Sequence, residues 1–382
     1  MRVLQLAPYF VPYPGGQELY VLRLSKRLVE RGSEVEVITS NYPPGRSVED
    51  VQGIKVRRLR CVGRILRNPL TPGFLSLRKH LKKFDIVHTH NEHSSAAISA
   101  AFLRSSAGVP LVLTCHGQLR FDEPISDWLE ATYTRTLGRH VFRATDSIIA
   151  LTPSDKDYIT TLGIDEKKIR VIPNAVDLSA FSSTGEHDGR FLEKHGLTGK
   201  RTVLFVGPML KRKGAEFLLK AISRIARKRE DIACVFAGDG PDLQRAESVA
   251  SRLNLKRHTV FLGRVSRSEL LRAYRGCHLF VCSSLSEGLP TTIMEASAMS
   301  LPVISSALPG ISDFFGETAI LTEPGDVEDL ESAILDTLWD DDKLVELGLR
   351  GRRLIEEELN WEKVSAQILA FYKDTLESHC AS

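Results

Sequence analysis

Val203-Leu204-Phe205-Val206-Gly207-Pro208-Met209-Leu210-Lys211-Arg212-Lys213-Gly214-Ala215-Glu216-Phe217-Leu218-Leu219-Lys220-Ala221-Ile222 is the stretch that decides the fold. Its first four residues form a short apolar run of the length and composition of a buried strand. Gly207 and Pro208 end the run. Phe217, Leu218, Ala221, Ile222 and Ile225 then recur at the three- and four-residue spacing of one helix face. A strand that feeds a helix through a glycine turn is half of the repeating unit of a parallel α/β sheet.

Working outward, the same alternation runs along the whole chain. Candidate strands lie at 3–7, 35–39, 54–56, 86–89, 111–114, 147–151 and 169–172, and a second series at 203–206, 233–237, 259–262, 278–282, 303–305 and 319–321. The segments between them have helical length and spacing, as in Leu19, Leu22, Leu24 and Leu28. The expected class is therefore α/β, with two doubly wound parallel sheets, and all-β and helix-bundle architectures are excluded. A chain of 382 residues is also long for a single core and suits two domains. Asp177–Lys200 separates the two series and, lacking a strand pattern, reads as the linker. Ligands of such sheets bind outside the carboxyl ends of the strands, so the chemistry is expected in a cleft where two such ends face each other.

Composition narrows the class. The net charge of +3 hides an asymmetry: residues 1–180 hold 25 Lys/Arg against 18 Asp/Glu, and the rest hold 26 against 30. Eleven basic residues lie between Arg46 and Lys83, without the interleaved aromatics or motif spacing of a nucleic-acid binder. That segment reads either as a solvated face or as a contact for an anionic membrane surface; Leu77, Leu81 and Phe84, at helical spacing among the cations, either rest on a headgroup layer or pack their helix on its own sheet, the reading preferred here. No apolar run reaches the length of a membrane span, and Met1–Ala7 reads as a short strand rather than a secretory leader. Six scattered cysteines without a CxxC pair suit a reduced, cytoplasmic setting.

Several motifs fall at strand ends. Gly15 and Gly16, in Pro14-Gly15-Gly16-Gln17-Glu18, open a helix after the first strand; a phosphate or sugar contact and a plain tight turn remain equally open. The missing third glycine disfavours a nicotinamide or flavin dinucleotide. Gly207 with Lys211, Arg212 and Lys213 offers a glycine turn and three cations, suited to a diphosphate. Glu287 and Glu295 lie eight apart around Gly288, Leu289 and Pro290, the first in a loop and the second inside the helix that follows; Glu287 also fits a purely structural helix-start acid. His116 follows a strand, where catalytic and structural roles are balanced. His88, His90 and His93 lack the carboxylate or thiolate that would complete a metal site, so no metal is expected. Asp155 and Asp157 read as the capped first turn of a helix behind Thr152, and Asp340–Asp342 as a loop.

Taken in order, these motifs resemble the retaining glycosyltransferases of family 4, whose GT-B fold pairs two Rossmann-like domains across a central cleft. The resemblance rests on Pro14-Gly15-Gly16, Thr114-Cys115-His116-Gly117, the 171–177 run, Lys213-Gly214, Ala237-Gly238-Asp239-Gly240-Pro241, Glu287-Gly288-Leu289-Pro290 with Glu295-Ala296, and Asn360-Trp361-Glu362. It implies an N-terminal acceptor-side domain over 1–178, completed by a C-terminal helix over 362–382, and a donor-binding domain over 179–361. It also implies roles. Lys213 would hold the donor diphosphate and Glu295 the ribose. Glu287, Gly288 and Leu289 would lie near the donor sugar and its phosphate, His116 near the transferred sugar, and Gly15 and Gly16 near phosphates and acceptor. Gly263-Arg264-Val265 would touch the base. Such enzymes need no cofactor beyond the nucleotide-sugar co-substrate. The acceptor is unknown, with a lipid-linked one at the inner membrane face as one expectation.

One position departs from the pattern. Pro208 stands where these enzymes carry an arginine, so Lys213 with Lys211 or Arg212 must meet the diphosphate charge. The alternatives are a catalytically impaired nucleotide-sugar-binding scaffold and a nucleotide-sugar epimerase.

Overall fold

The computed structural model describes residues 1–65, 68–117, 132–181 and 188–381. The chain divides into two compact units, Met1–Asn174 with Trp361–Ser382, and Ala175–Asn360. Each is a parallel sheet with helices in its crossovers. The central strands are buried on both faces, which is why they read as unbroken apolar runs.

In the first unit the strands are β1 (Arg2–Ala7), β2 (Glu34–Ser40), β3 (Val48–Val51), β4 (Ile54–Leu59), β5 (Gly63–Ile65), β6 (Asn68–Leu70), β7 (Ile86–His90), β8 (Leu111–Cys115), β9 (Ser147–Ala150) and β10 (Ile169–Val171). Eight of these form one sheet in the order β10-β9-β8-β7-β1-β2-β4-β3, parallel except for β3 against β4. The order reverses at β1, which has β2 on one side and β7 on the other. The last helix, Trp361–Ala381, belongs to this unit: Trp361 lies 5.2 Å from the ring of Tyr20, and Thr375 Oγ1 donates to Ser147 Oγ at 2.8 Å.

The second unit holds β11 (Arg201–Val206), β12 (Ile232–Ala237), β13 (Thr259–Gly263), β14 (Leu279–Cys282), β15 (Val303–Ser306) and β16 (Ile320–Thr322), all parallel, in the order β13-β12-β11-β14-β15-β16. Here the reversal falls between β11 and β14. Such a switch point leaves an open crevice at the carboxyl ends of the strands.

Every stretch expected to be a strand contains one. Three further strands were not expected. β3 is an exposed edge strand, and β5 and β6 form a short hairpin outside the main sheet, so none shows a buried apolar signal.

Two other expectations are corrected and one open alternative is decided. Residues 177–200 are not a linker: Leu178–Phe181 and Gly189–Lys194 are helical, and Phe181, Phe191, Leu192 and Leu197 are buried in the core of the second unit. Ser, Thr, Gly and charged residues conceal four large apolar anchors in that stretch. Leu77 and Leu81 follow the preferred reading, in which their helix packs on its own sheet and not on a membrane. They are buried, and Phe84 packs against the same core cluster, which includes the sheet residues Val87 and Leu111. Asp340–Asp342 is not a loop, since Asp340 Oδ1 accepts from Lys343 N at 2.9 Å and caps the helix Asp341–Glu357. Acids at a helix start are stabilised by its N–H groups.

The burial of Phe191 provides a test. Phe191→Ala is expected to cost about 3–5 kcal/mol and to lower the hydrogen-exchange protection of Val203–Phe205. A linker residue would change neither.

Candidate functional site

At the switch point of the second unit, the loop leaving β11 is fastened to the loop leaving β14. Leu285 N donates to Arg212 O at 2.7 Å, and Ser283 Oγ donates to Gly214 O at 3.0 Å. Gly214 has φ 72°, and a Cβ there would come within 1.8 Å of Ser283 O. Only glycine allows the two backbones to lie so close.

On this frame Lys213 Nζ forms a close ion pair with Glu287 Oε1. Arg212 Nη1 donates to Ser286 O at 3.2 Å and lies 3.8 Å from Glu287 Oε2, while Ser284 Oγ donates to Glu287 Oε1 at 2.9 Å. Two cations and a hydroxyl thus converge on one nearly buried carboxylate, leaving an excess of positive charge beside Glu287. Gly207 begins the adjoining turn, its N–H bound to Ala237 O at 3.0 Å. Lys211 precedes this cluster in the same single 3-10 turn, and no ion pair holds it among the described residues.

The helix Thr291–Ala298 begins after Pro290, with no side-chain cap among the described residues. Its first N–H groups are left open at the same end of the sheet. Leu289 is buried in the core and anchors the approach, with Gly288 between it and Glu287. One turn into the helix, Glu295 is fixed by Arg267 Nη1 to Oε1 and by the Tyr274 hydroxyl to Oε2, both at 3.1 Å. Burial and the Glu295 charge push the Tyr274 hydroxyl far up, so it stays a donor. Val265 lies half-buried between Gly263, which ends β13, and Arg267. The Glu287 and Glu295 groups share no hydrogen bond among the described residues, so the two carboxylates offer separate contacts.

In the first unit His116 follows β8. Its backbone N–H donates to Asn91 Oδ1 at 3.0 Å, and Asn91 Nδ2 donates to Gln17 Oε1 at 2.7 Å, which ties His116 to the Gly15–Gly16 turn. Gly15 is extended, and a Cβ on it would lie 2.1 Å from Glu18 Oε2. Glu18 is buried there, which raises its carboxyl pKa. Gly16 is the first helical residue.

Behind His116 lies a buried polar chain. His116 Nε2 is 3.1 Å from His90 Nδ1, His90 Nε2 is 2.8 Å from Gln5 Oε1, and Gln5 Nε2 is 3.4 Å from the Tyr372 hydroxyl. Tyr372 Oη is 2.6 Å from His88 Nδ1, and His88 Nε2 is 2.7 Å from Thr114 Oγ1. Burial holds all three imidazoles neutral. It lowers His88 and His116 to about 3 and His90 well below its usual value, with the neighbouring histidines adding to the effect. His93 stands apart, 3.4 Å from Glu92. Among the described residues no group of three His, Cys, Asp or Glu side chains is placed to hold a metal.

Sequence reasoning missed Ser284, Arg267 and Tyr274 around the carboxylates, and Gln5, Asn91 and Tyr372 behind His116. The serine pair at the end of β14 was a usable signal. The others are brought in from distant parts of the chain and carry none.

The comparisons fit this geometry. The profile of Glycosyltransferase Family 4 matches residues 14–180, and that of Glycosyl transferases group 1 matches residues 189–376. The chain belongs to this glycosyltransferase family, and it is an enzyme of that class. One component of the human phosphatidylinositol N-acetylglucosaminyltransferase is 26% identical over 346 residues, covering 87% of this chain and 68% of that protein. The mannosylfructose-phosphate synthase of Agrobacterium fabrum is 24% identical, over 93% of this chain and 86% of its own. Among solved structures, the sucrose-phosphate synthase of Thermosynechococcus elongatus superposes with a TM-score of 0.81 at 21% identity, covering 99% of each chain. Anabaena HepE, crystallised with UDP-glucose, does so with 0.79 at 19% identity, over 99% of this chain and 100% of that one. The fold of the two units is GT-B.

The neutral histidines make stability depend on pH. In the unfolded chain each takes a proton near pH 6.5, whereas folded His88 and His116 do so only near 3. Acid therefore favours unfolding. The contribution is complete above pH 6.5 and falls below it by about 1.4 kcal/mol per pH unit for each histidine. Denaturant titrations of the first unit should show its midpoint dropping from pH 7 to pH 5. A flat profile would contradict neutral burial.

Proposed function

We propose that the protein transfers a hexose from a nucleoside-diphosphate sugar to an acceptor hydroxyl, with retention at the anomeric carbon and without a metal. The observation that carries this reading is the convergence of Lys213 and Arg212 on Glu287 beside an uncapped helix start. Breaking a sugar–phosphate bond builds negative charge on the leaving diphosphate, and cations and N–H groups fixed in advance stabilise that charge. Arg212 takes the place of the arginine that Pro208 displaces. Glu295, held by Arg267 and Tyr274, has a further lone pair on each oxygen for the ribose hydroxyls. Val265 meets the base, Gly207, Gly288 and Leu289 border the phosphates and donor sugar, and His116 of the first unit, with Gly15 and Gly16 near it, is taken as a sugar contact. HepE, whose structures hold UDP and UDP-glucose, supports the donor class.

A donor panel of UDP-glucose, UDP-N-acetylglucosamine, GDP-mannose and ADP-glucose tests this reading. One donor should be hydrolysed slowly without acceptor. Lys213→Ala and Glu295→Ala should each weaken its binding by about 1.5–3 kcal/mol, or about 10- to 150-fold. His116→Ala should lower kcat by about tenfold or more with a smaller effect on KM. Unchanged affinity in both binding variants would remove the site assignment, and binding without turnover would favour a scaffold.

A second reading concerns the acceptor, which we place on a lipid at an anionic, cytoplasmic membrane face. With Leu77 and Leu81 buried, the surface that supports it is formed by the paired strands β5 and β6 and the helical turn after them, where Val62, Ile65, Leu70 and Leu75 are exposed, with Arg60 and Arg64 nearby in sequence. The human relative's name, which specifies phosphatidylinositol, and the six free cysteines agree with it. No described helix is long and apolar enough to cross a membrane. Anionic vesicles should retain the protein at low salt and release it as salt rises, and a Val62→Asp/Ile65→Asp variant should not bind. Absence of binding at low salt, with transfer to a soluble acceptor, would dismiss this reading.

A further inference from the structure

We infer that Arg267 is the stacking platform for the nucleobase of the donor, its guanidinium held flat on Phe181 with the outer face open beside Glu295. The inference rests on the proposed function for the nucleotide and goes beyond it in naming what the base lies on. Every residue involved belongs to the second unit.

The helix Arg267–Gly276 is capped by Ser266, whose hydroxyl accepts from Glu269 N at 3.2 Å. Arg267 and Tyr274 lie seven residues apart on it, which is two turns and therefore one face. Both reach Glu295, Arg267 Nη1 at Oε1 and the Tyr274 hydroxyl at Oε2. The carboxylate thus fixes one edge of the guanidinium. Its plane is fixed separately. Arg267 Cζ lies 4.2 Å over the ring of Phe181, which is fully buried beneath it. The face of an aromatic ring is where a cation is attracted, so this contact sets the tilt of the guanidinium.

The two supports share one frame. Phe181 O and Ala298 O both accept from Arg352 Nη1, the first at 2.9 Å. Ala298 ends the helix on which Glu295 sits. The ring below Arg267 and the carboxylate beside it are therefore held together.

Two sides of the guanidinium are occupied, yet 42% of the Arg267 side chain remains exposed. With one face on Phe181 and one edge on Glu295, that exposure falls on the opposite face and the remaining edge. No other group bonds to this guanidinium among the described residues. Pairing with Glu295 offsets its charge, which makes it a poorer phosphate anchor than the Lys213 and Arg212 pair. What is left is a flat, weakly hydrated surface of the kind on which bases stack.

Its position suits a base. In a nucleoside the carbon that carries the base is bonded to the carbon that carries the 2′-hydroxyl. A ribose whose hydroxyls are bound by Glu295 therefore brings its base next to the group that shares that carboxylate. Stacking uses a π face that every base has, so Arg267 strengthens binding without choosing between bases.

Calorimetry with UDP, GDP and ADP, each compared with ribose 5-diphosphate, tests the inference. Arg267→Lys keeps a cation beside Glu295 and removes the plane. The variant should bind the nucleoside diphosphate preferred by wild type about tenfold more weakly, and should bind ribose 5-diphosphate as wild type does. Equal weakening of both ligands overturns the inference, because Arg267 would then act through Glu295 alone. Unchanged binding of both overturns it as well. The Arg267 Nε–H resonance, assigned by its loss in Arg267→Lys, gives a second readout on the wild-type chain. A stacked base should shift it upfield, and ribose 5-diphosphate should not. The same shift with both ligands, or none with either, removes the platform. Wild type that binds none of the three nucleoside diphosphates overturns the proposed function and the inference with it, whereas the other adverse outcomes overturn the inference alone.

Discussion

The second unit is organised around the ion pair of Lys213 and Glu287, whose members are 74 residues apart in sequence. They meet because β11 and β14 are neighbours at the strand-order reversal, which brings their loops out at the same edge. Gly214 lets the two backbones touch, and Ser284 and Arg212 complete the surroundings of the carboxylate. A nearly buried carboxylate is costly unless it is paired, so the loops are constrained to keep this geometry. The same constraint holds an unneutralised cation at the carboxyl end of the sheet, which is the feature an anionic ligand requires.

The first unit reaches its site by different physics. Behind His116 lies, among the described residues, a chain of neutral groups in place of an ion pair, every member of which is buried or half-buried. In a low-dielectric interior such a chain is stable only when each donor meets an acceptor, and satisfying it fixes the hydrogen positions as well as the atoms.

The return of the chain to the first unit is part of that arrangement. Tyr372 lies on the last helix, yet its hydroxyl bridges Gln5 of the first strand and His88 of β7. Trp361 packs on Tyr20, which in turn packs on His116. The final helix therefore does more than cover the sheet, since the orientation of the histidine chain depends on it.

The sequence by itself determined the strands and the layer architecture, because strands covered on both faces must be apolar throughout and helices between them must show a periodic face. It also determined that glycines, cations and carboxylates cluster at strand ends, because β-to-α loops are short and keep neighbours in sequence close in space. That logic singled out Gly214, Lys213, Glu287 and His116. Where burial and local pattern part company it misled, as with the four apolar anchors hidden in 177–200. Only the tertiary structure decided which strand end meets which, and so the pairing of Lys213 with Glu287, of Glu295 with Arg267 and Tyr274, and of His116 with His90, Gln5 and Tyr372. Those contacts depend on strand order and on the return of the last helix, and strand order is set by global packing, which no local pattern of residues encodes.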